Sequence, residues 1–145
     1  MAKIRITLPE KFIFSTDIPV RITDINYGGH LGNDAMLSII HEARVRFLKN
    51  YGFSELDAGG AGIIMTDAAV AFIAEIFYGT VIKVNVALDD FGNLGCDVVF
   101  QLLDSSNGKE VARAKTGIVF FDYQRRRPVR IPDAFMNAVG INPQK

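Results

Sequence analysis

Only one cysteine, Cys96, occurs in this chain, which excludes an internal disulfide and a multi-cysteine zinc site. It lies in a strand-like run from Gly95 to Leu103, where a free thiol is ordinarily a small core hydrophobe rather than a nucleophile. Cysteine this sparse fits a reducing, cytoplasmic setting. No stretch approaches the roughly 18 uninterrupted apolar residues of a membrane span, so none is expected. The opening residues, Met1 to Phe14, alternate apolar and polar side chains and lack the apolar core of a secretory signal. Excess charge is missing as well: 16 basic residues balance 16 acidic ones. Such a balance calls for neither nucleic acid nor an anionic membrane, although a local basic cluster can still grip phosphates. Histidine is scarce, with 2 in the chain, and both His30 and His41 fall in or beside one motif. Neither a metal site nor a cofactor is expected.

Apolar sequence is plentiful instead. At 145 residues, 49% hydrophobic and a mean hydropathy of +0.19, the chain suits a single domain over 1–145. A small domain this apolar tends to bury part of its surface between subunits, so a homodimer or homotetramer is expected. Phe12, Phe14, Thr16, Ile18, Val20 and Ile22 recur with a period of two and predict a strand, with Pro19 marking an edge or bulge. A glycine-rich turn, Asn26 to Gly32, follows. From Asn33 the period changes: Met36, Ile40, Ala43 and Phe47, widened by Leu37, Ile39 and Leu48, predict a helix. Asn33 or Asp34 can cap its start, and Gly52 ends it after Tyr51. A flexible stretch, Ser54 to Gly62, leads into four strand-like runs: Ile63 to Ile73, Thr80 to Leu88, Gly95 to Leu103 and Glu110 to Phe121. Tyr78-Gly79 and Ser105 to Gly108 are turn segments, and a short helix is expected from Asp133. The order predicts an α+β fold, with one long helix packed on an antiparallel sheet.

The motif at the head of the helix goes further. Asp24-Ile25-Asn26-Tyr27-Gly28-Gly29-His30-Leu31-Gly32-Asn33, then Leu37-Ser38 and His41-Glu42-Ala43-Arg44, resembles the signature of the 4-hydroxybenzoyl-CoA thioesterase family. Gly108 to Arg113 and Arg127 to Pro132 look like that family's last strand and its exit. The resemblance implies a hotdog fold, a long central helix wrapped by a curved five-stranded antiparallel sheet, and hydrolysis of acyl-CoA at a subunit interface. One position departs from the pattern. Asn26 stands where the family usually carries its catalytic aspartate, and an amide is no general base. The glutamate that some relatives carry on the helix falls on His41, with Glu42 beside it.

Thioester hydrolysis needs a polarised carbonyl, an activated water or nucleophile, and a hold on CoA. The junction at Gly29, Gly32 and Asn33 can supply backbone N–H groups for a developing oxyanion, because the first amides of a helix have no internal partners. Asp24 activates water, or orients His30, or closes the strand end as a turn former. His30 is either catalytic or structural, and Asn26 either donates to the thioester or makes turn bonds. Glu42 is spaced for an ion pair with Arg46. Asp67 breaks the run Ile63 to Ile73, so it needs a partner or a polar cavity, either as an interface ion pair or as an acid reaching a neighbouring site. Arg125, Arg126, Arg127 and Arg130 are either a solvated surface or a grip on CoA phosphates. The leading expectation is an acyl-CoA thioesterase acting on a fatty-acyl or aryl group. The alternatives are an acyl-thioester binding protein without hydrolysis and a hotdog hydratase or dehydratase. The last of these families reads Asp-x-Asn-Pro-x-His, whereas here no proline follows Asn26 and His30 comes one residue late.

Overall fold

The computed structural model describes residues 2–141. Strand β1 (Phe14–Pro19) leads through a single 3-10 turn, Ile22–Asp24, into helix α1 (Asn33–Asn50). Strands β2 (Gly62–Phe72), β3 (Val81–Asp89), β4 (Gly95–Asp104) and β5 (Glu110–Asp122) follow, then the two-residue β6 (Arg127–Pro128) and helix α2 (Asp133–Ala138). The expected elements are all present, and α1 ends where Gly52 takes a φ of 81°. The cap differs from expectation. Gly32 is the N-cap, with no side-chain cap bond, and Asn33 is already the first helical residue.

The strands pair antiparallel in the order β1-β3-β4-β5-β2, with β6 against the end of β5. The resulting curved sheet wraps α1. Both ends of that order are open edges, and Pro19 closes β1 at one of them. Met36, Ile40, Ala43 and Phe47 of α1 are buried against Ile82, Val84, Val86, Phe100 and Phe120 of the sheet. Each large side chain so placed stabilises by about 1.5–3 kcal/mol, which makes this stripe the main tie between helix and sheet. Leu37, expected in the stripe, is 48% exposed. It lies on the flank of α1 that turns towards β2. Among the described residues no helix is long and apolar enough to cross a membrane.

Candidate active site

The motif between the 3-10 turn and α1 folds back on itself. Ile25 and Leu31 form a bridge, Asn26 N–H donates to the His30 carbonyl at 2.9 Å, and Gly29 N–H donates to the Asn26 carbonyl at 3.1 Å. The turn needs the left-handed φ of 83° at Gly29, which glycine adopts without strain. Asn26 Oδ1 accepts the Gly28 N–H at 2.9 Å, so its amide serves the turn. Leu31 N–H donates to Ile76 O at 2.7 Å and ties the loop to the chain beyond β2. Gly32 N–H donates to Asp24 O at 3.0 Å. Of the amides expected to receive an oxyanion, those of Gly29 and Gly32 are therefore already used. Asn33, at the first helical position, has no backbone partner for its N–H among the described residues.

The motif does not gather Asp24 and His30 into one cleft. Asp24 is buried, its Oδ2 accepts the Arg21 N–H at 2.8 Å and its Oδ1 faces the Arg21 guanidinium at 3.4 Å. The carboxylate thus points back into its own 3-10 turn. It borders a small cleft with Ser38, Glu42 and Arg46, where Glu42 and Arg46 pair at 3.0 Å as their helical spacing predicts. His30 borders a different cleft of about 300 Å³, with Asn33 and the segment from Phe72 to Ile76.

A third cleft, of about 500 Å³, lies between the same flank of α1 and β2. Leu37, Ser38, His41 and Arg44 line it from the helix, Ile63, Met65 and Ala68 from β2, and Thr116 from β5. Helix and strand run in opposite directions, so the head of α1 meets the end of β2 and its middle meets the start. Asn33, Leu37, His41 and Arg44 therefore form one stripe, polar at both ends and apolar between. Glu55, from the loop after α1, closes the far end. It lies 2.7 Å from His41 Nε2 and accepts the Arg44 Nε–H at 3.0 Å. Burial opposes its charge, but the bonds from His41 and Arg44 outweigh it and hold the carboxyl below its ordinary value. Sequence reasoning missed Glu55 and Thr116. A glutamate in a glycine-rich loop and a threonine in a strand carry no signal until the fold brings them to α1.

The other candidates lie elsewhere. Asp67 sits on the outer face of the sheet, where Lys115 Nζ donates to it at 3.0 Å and Gly117 N–H at 2.9 Å. These bonds, led by Lys115, pull its pKa down. The bulge between Met65 and Asp67 reverses the alternation of β2 and sends this side chain outward. Cys96 is buried, and burial together with the neighbouring Asp97 pushes its thiol up to about 12, which suits an inert core residue. Arg125 and Arg126 occupy the exposed turn after β5, and Arg127 begins β6. Arg125 faces Asp122 at 3.8 Å. Because Gly62 pairs with Phe121, this turn stands at the Ile63 end of β2. Arg130 borders a cleft on the outer face with Asp67, Asp97 and Lys115. No cluster of side chains able to hold a metal ion occurs among the described residues.

Comparison with known proteins agrees with this architecture. The profile of the thioesterase-like superfamily matches residues 20–139, and no curated protein matches the sequence. The fold is similar to that of a 1,4-dihydroxy-2-naphthoyl-CoA thioesterase from Synechocystis, with a TM-score of 0.78 and 19% identity over 87% of this chain and 94% of that one. A DHNA-CoA thioesterase from Staphylococcus aureus gives a TM-score of 0.73 and 20% identity over 85% and 83%. A gentisyl-coenzyme A thioesterase gives 0.77 and 17% over 88% and 100%. At such identities the likeness establishes the hotdog fold alone.

Proposed function

This chain belongs to the thioesterase-like superfamily, and we propose that it hydrolyses a fatty-acyl or aryl thioester of coenzyme A in the cleft between α1 and β2, completed by a second copy of the chain. The stripe along α1 carries this reading. Its apolar middle, with Leu37 beside Met65 and Ala68, suits an acyl or aryl group. At its head, the Asn33 amide sits at a helix N-terminus, where partial positive charge stabilises a developing oxyanion. Among the described residues β2 ends the sheet with no strand beyond it, which leaves room on that side for a second copy. A twofold axis through the middle of that edge reverses the cleft, so the His41 end of one copy meets the helix head of the other. The arginine turn at the start of β2 then stands beside the mouth, where forked guanidinium donors suit the phosphates of CoA.

A second reading, binding of an acyl thioester without hydrolysis, is favoured by Asn26. This residue holds an amide in the family's acid position and spends its Oδ1 on Gly28. Thiol release over a panel of aliphatic and aryl CoA thioesters separates the two. Release well above the protein-free rate is expected. Thioesters that bind and stay intact establish the second reading, and an absence of both binding and release overturns both.

A further inference from the structure

The strongest unassigned cluster lies at the His41 end of the α1–β2 cleft. Glu55 is held at both oxygens, by His41 Nε2 at 2.7 Å and by Arg44 Nε at 3.0 Å. Arg44 is itself buried, so this carboxylate stays ionised opposite a fixed cation. An ionised carboxylate can only accept hydrogen bonds. Neutral His41 therefore carries its proton on Nε2, which leaves Nδ1 as the basic nitrogen. The His41 side chain is 57% exposed, so water reaches it.

An independent observation points to a ligand in the same cleft. Thr116 is 1% exposed and borders the cleft from β5, yet its Oγ1 has no hydrogen-bond partner among the described residues. A buried hydroxyl left unpaired carries a desolvation cost that a bound polar molecule relieves. Base and orphan hydroxyl thus border one space, from the helix and the sheet side respectively.

We propose that His41, oriented by Glu55, takes the proton from the attacking water and that the Thr116 hydroxyl anchors that water from the sheet side. The proposal rests on the thioester-hydrolysis reading. The water oxygen bonds to the thioester carbon while its proton passes to His41 Nδ1. Collapse of the adduct breaks the C–S bond, and the imidazolium returns its proton to the departing sulfur, leaving a free acid and the CoA thiol. Glu55 keeps its charge throughout and stabilises the transient imidazolium, so it is a positioning residue. The charged groups bordering the cleft with His41 are Glu55 and Arg44, and β2 and β5 add only Ile63, Met65, Ala68 and Thr116.

The test uses the full chain with an acyl-CoA it turns over. His41→Gln is expected to lower kcat by about 10²–10⁴-fold, the usual loss for a general base, with KM nearly unchanged. Thr116→Val should lower kcat at similar KM. Glu55→Gln should lower kcat per folded molecule at nearly unchanged KM, and Glu55→Asp, which keeps the charge, should recover part of that loss. A role confined to stability changes the folded fraction and leaves kcat per folded molecule where it was. Wild-type kcat per folded molecule in Glu55→Gln, or wild-type kcat in His41→Gln, overturns the proposal while hydrolysis stands. A wild-type chain that releases no thiol from any CoA thioester instead overturns the reading beneath it.

Discussion

Asp24 and His30 are neighbours along the chain but not partners in space, and the cause is a matter of single bonds. The Asp24 carboxylate is buried and answers the Arg21 N–H at 2.8 Å, which fixes the 3-10 turn leading to the motif. A side chain so used supports the fold around the site. We expect Asp24→Ala to destabilise the chain by about 1.5–3 kcal/mol, the usual worth of a hydrogen bond to a charged group. Urea denaturation measures this, and turnover per folded molecule should stay near wild type. A variant with unchanged stability and a kcat lowered about 10²-fold or more, the loss expected of a base, would return Asp24 to the chemistry. His41 shows the reverse case. Its helical position was legible, but its meaning depends on Glu55, 14 residues on.

Elements depend on a few places where backbones approach too closely for a side chain. At the start of β4, a Cβ on Gly95 would overlap the carbonyl oxygen of Ile118 on β5. At Gly92, three residues earlier, the nearest atom to such a Cβ is the Gly95 carbonyl oxygen at 3.8 Å, an ordinary contact. Gly95→Ala should therefore separate β4 from β5 and lower stability by at least about 1–3 kcal/mol, as overpacking does, whereas Gly92→Ala should change it little. Thermal melts of the pair check this, and equal melting temperatures would show that Gly95 is not a register clamp. The bulge in β2 belongs to the same scale. Without the shift between Met65 and Asp67, strict alternation would leave Asp67 on the same face as Met65. The bulge instead sends it to Lys115.

For the molecule as a whole, the edge of β2 is where we propose that a second copy pairs. Met65, Phe72 and Ile73 are 47%, 52% and 52% exposed on or just beyond that edge, and an unpaired apolar edge of this length invites pairing or aggregation. Light scattering at micromolar concentration is expected to give at least twice the chain mass of 16.0 kDa. Met65→Lys should weaken the dimer, because a charge replaces apolar surface beside the cleft. Thiol release should then fall in step with the dimer fraction. A monomer that keeps full activity would remove the second copy from the site.

Much of this protein is determined by its sequence alone. The period of two in the strands, the period near 3.6 after Asn33 and the glycine that ends α1 are local properties, and the chain order of these elements left little choice but one helix on an antiparallel sheet. The motif from Asp24 to Asn33 likewise marked the head of α1 as the place to look. Tertiary structure decided what local pattern cannot carry. It turned Asp24 inward to Arg21, spent the Gly29 and Gly32 amides on the loop, and sent Asp67 to the outer face through a bulge. It also brought Glu55 and Thr116 to His41, because contacts between distant residues follow from the packing of helix on sheet and leave no periodic trace along the chain.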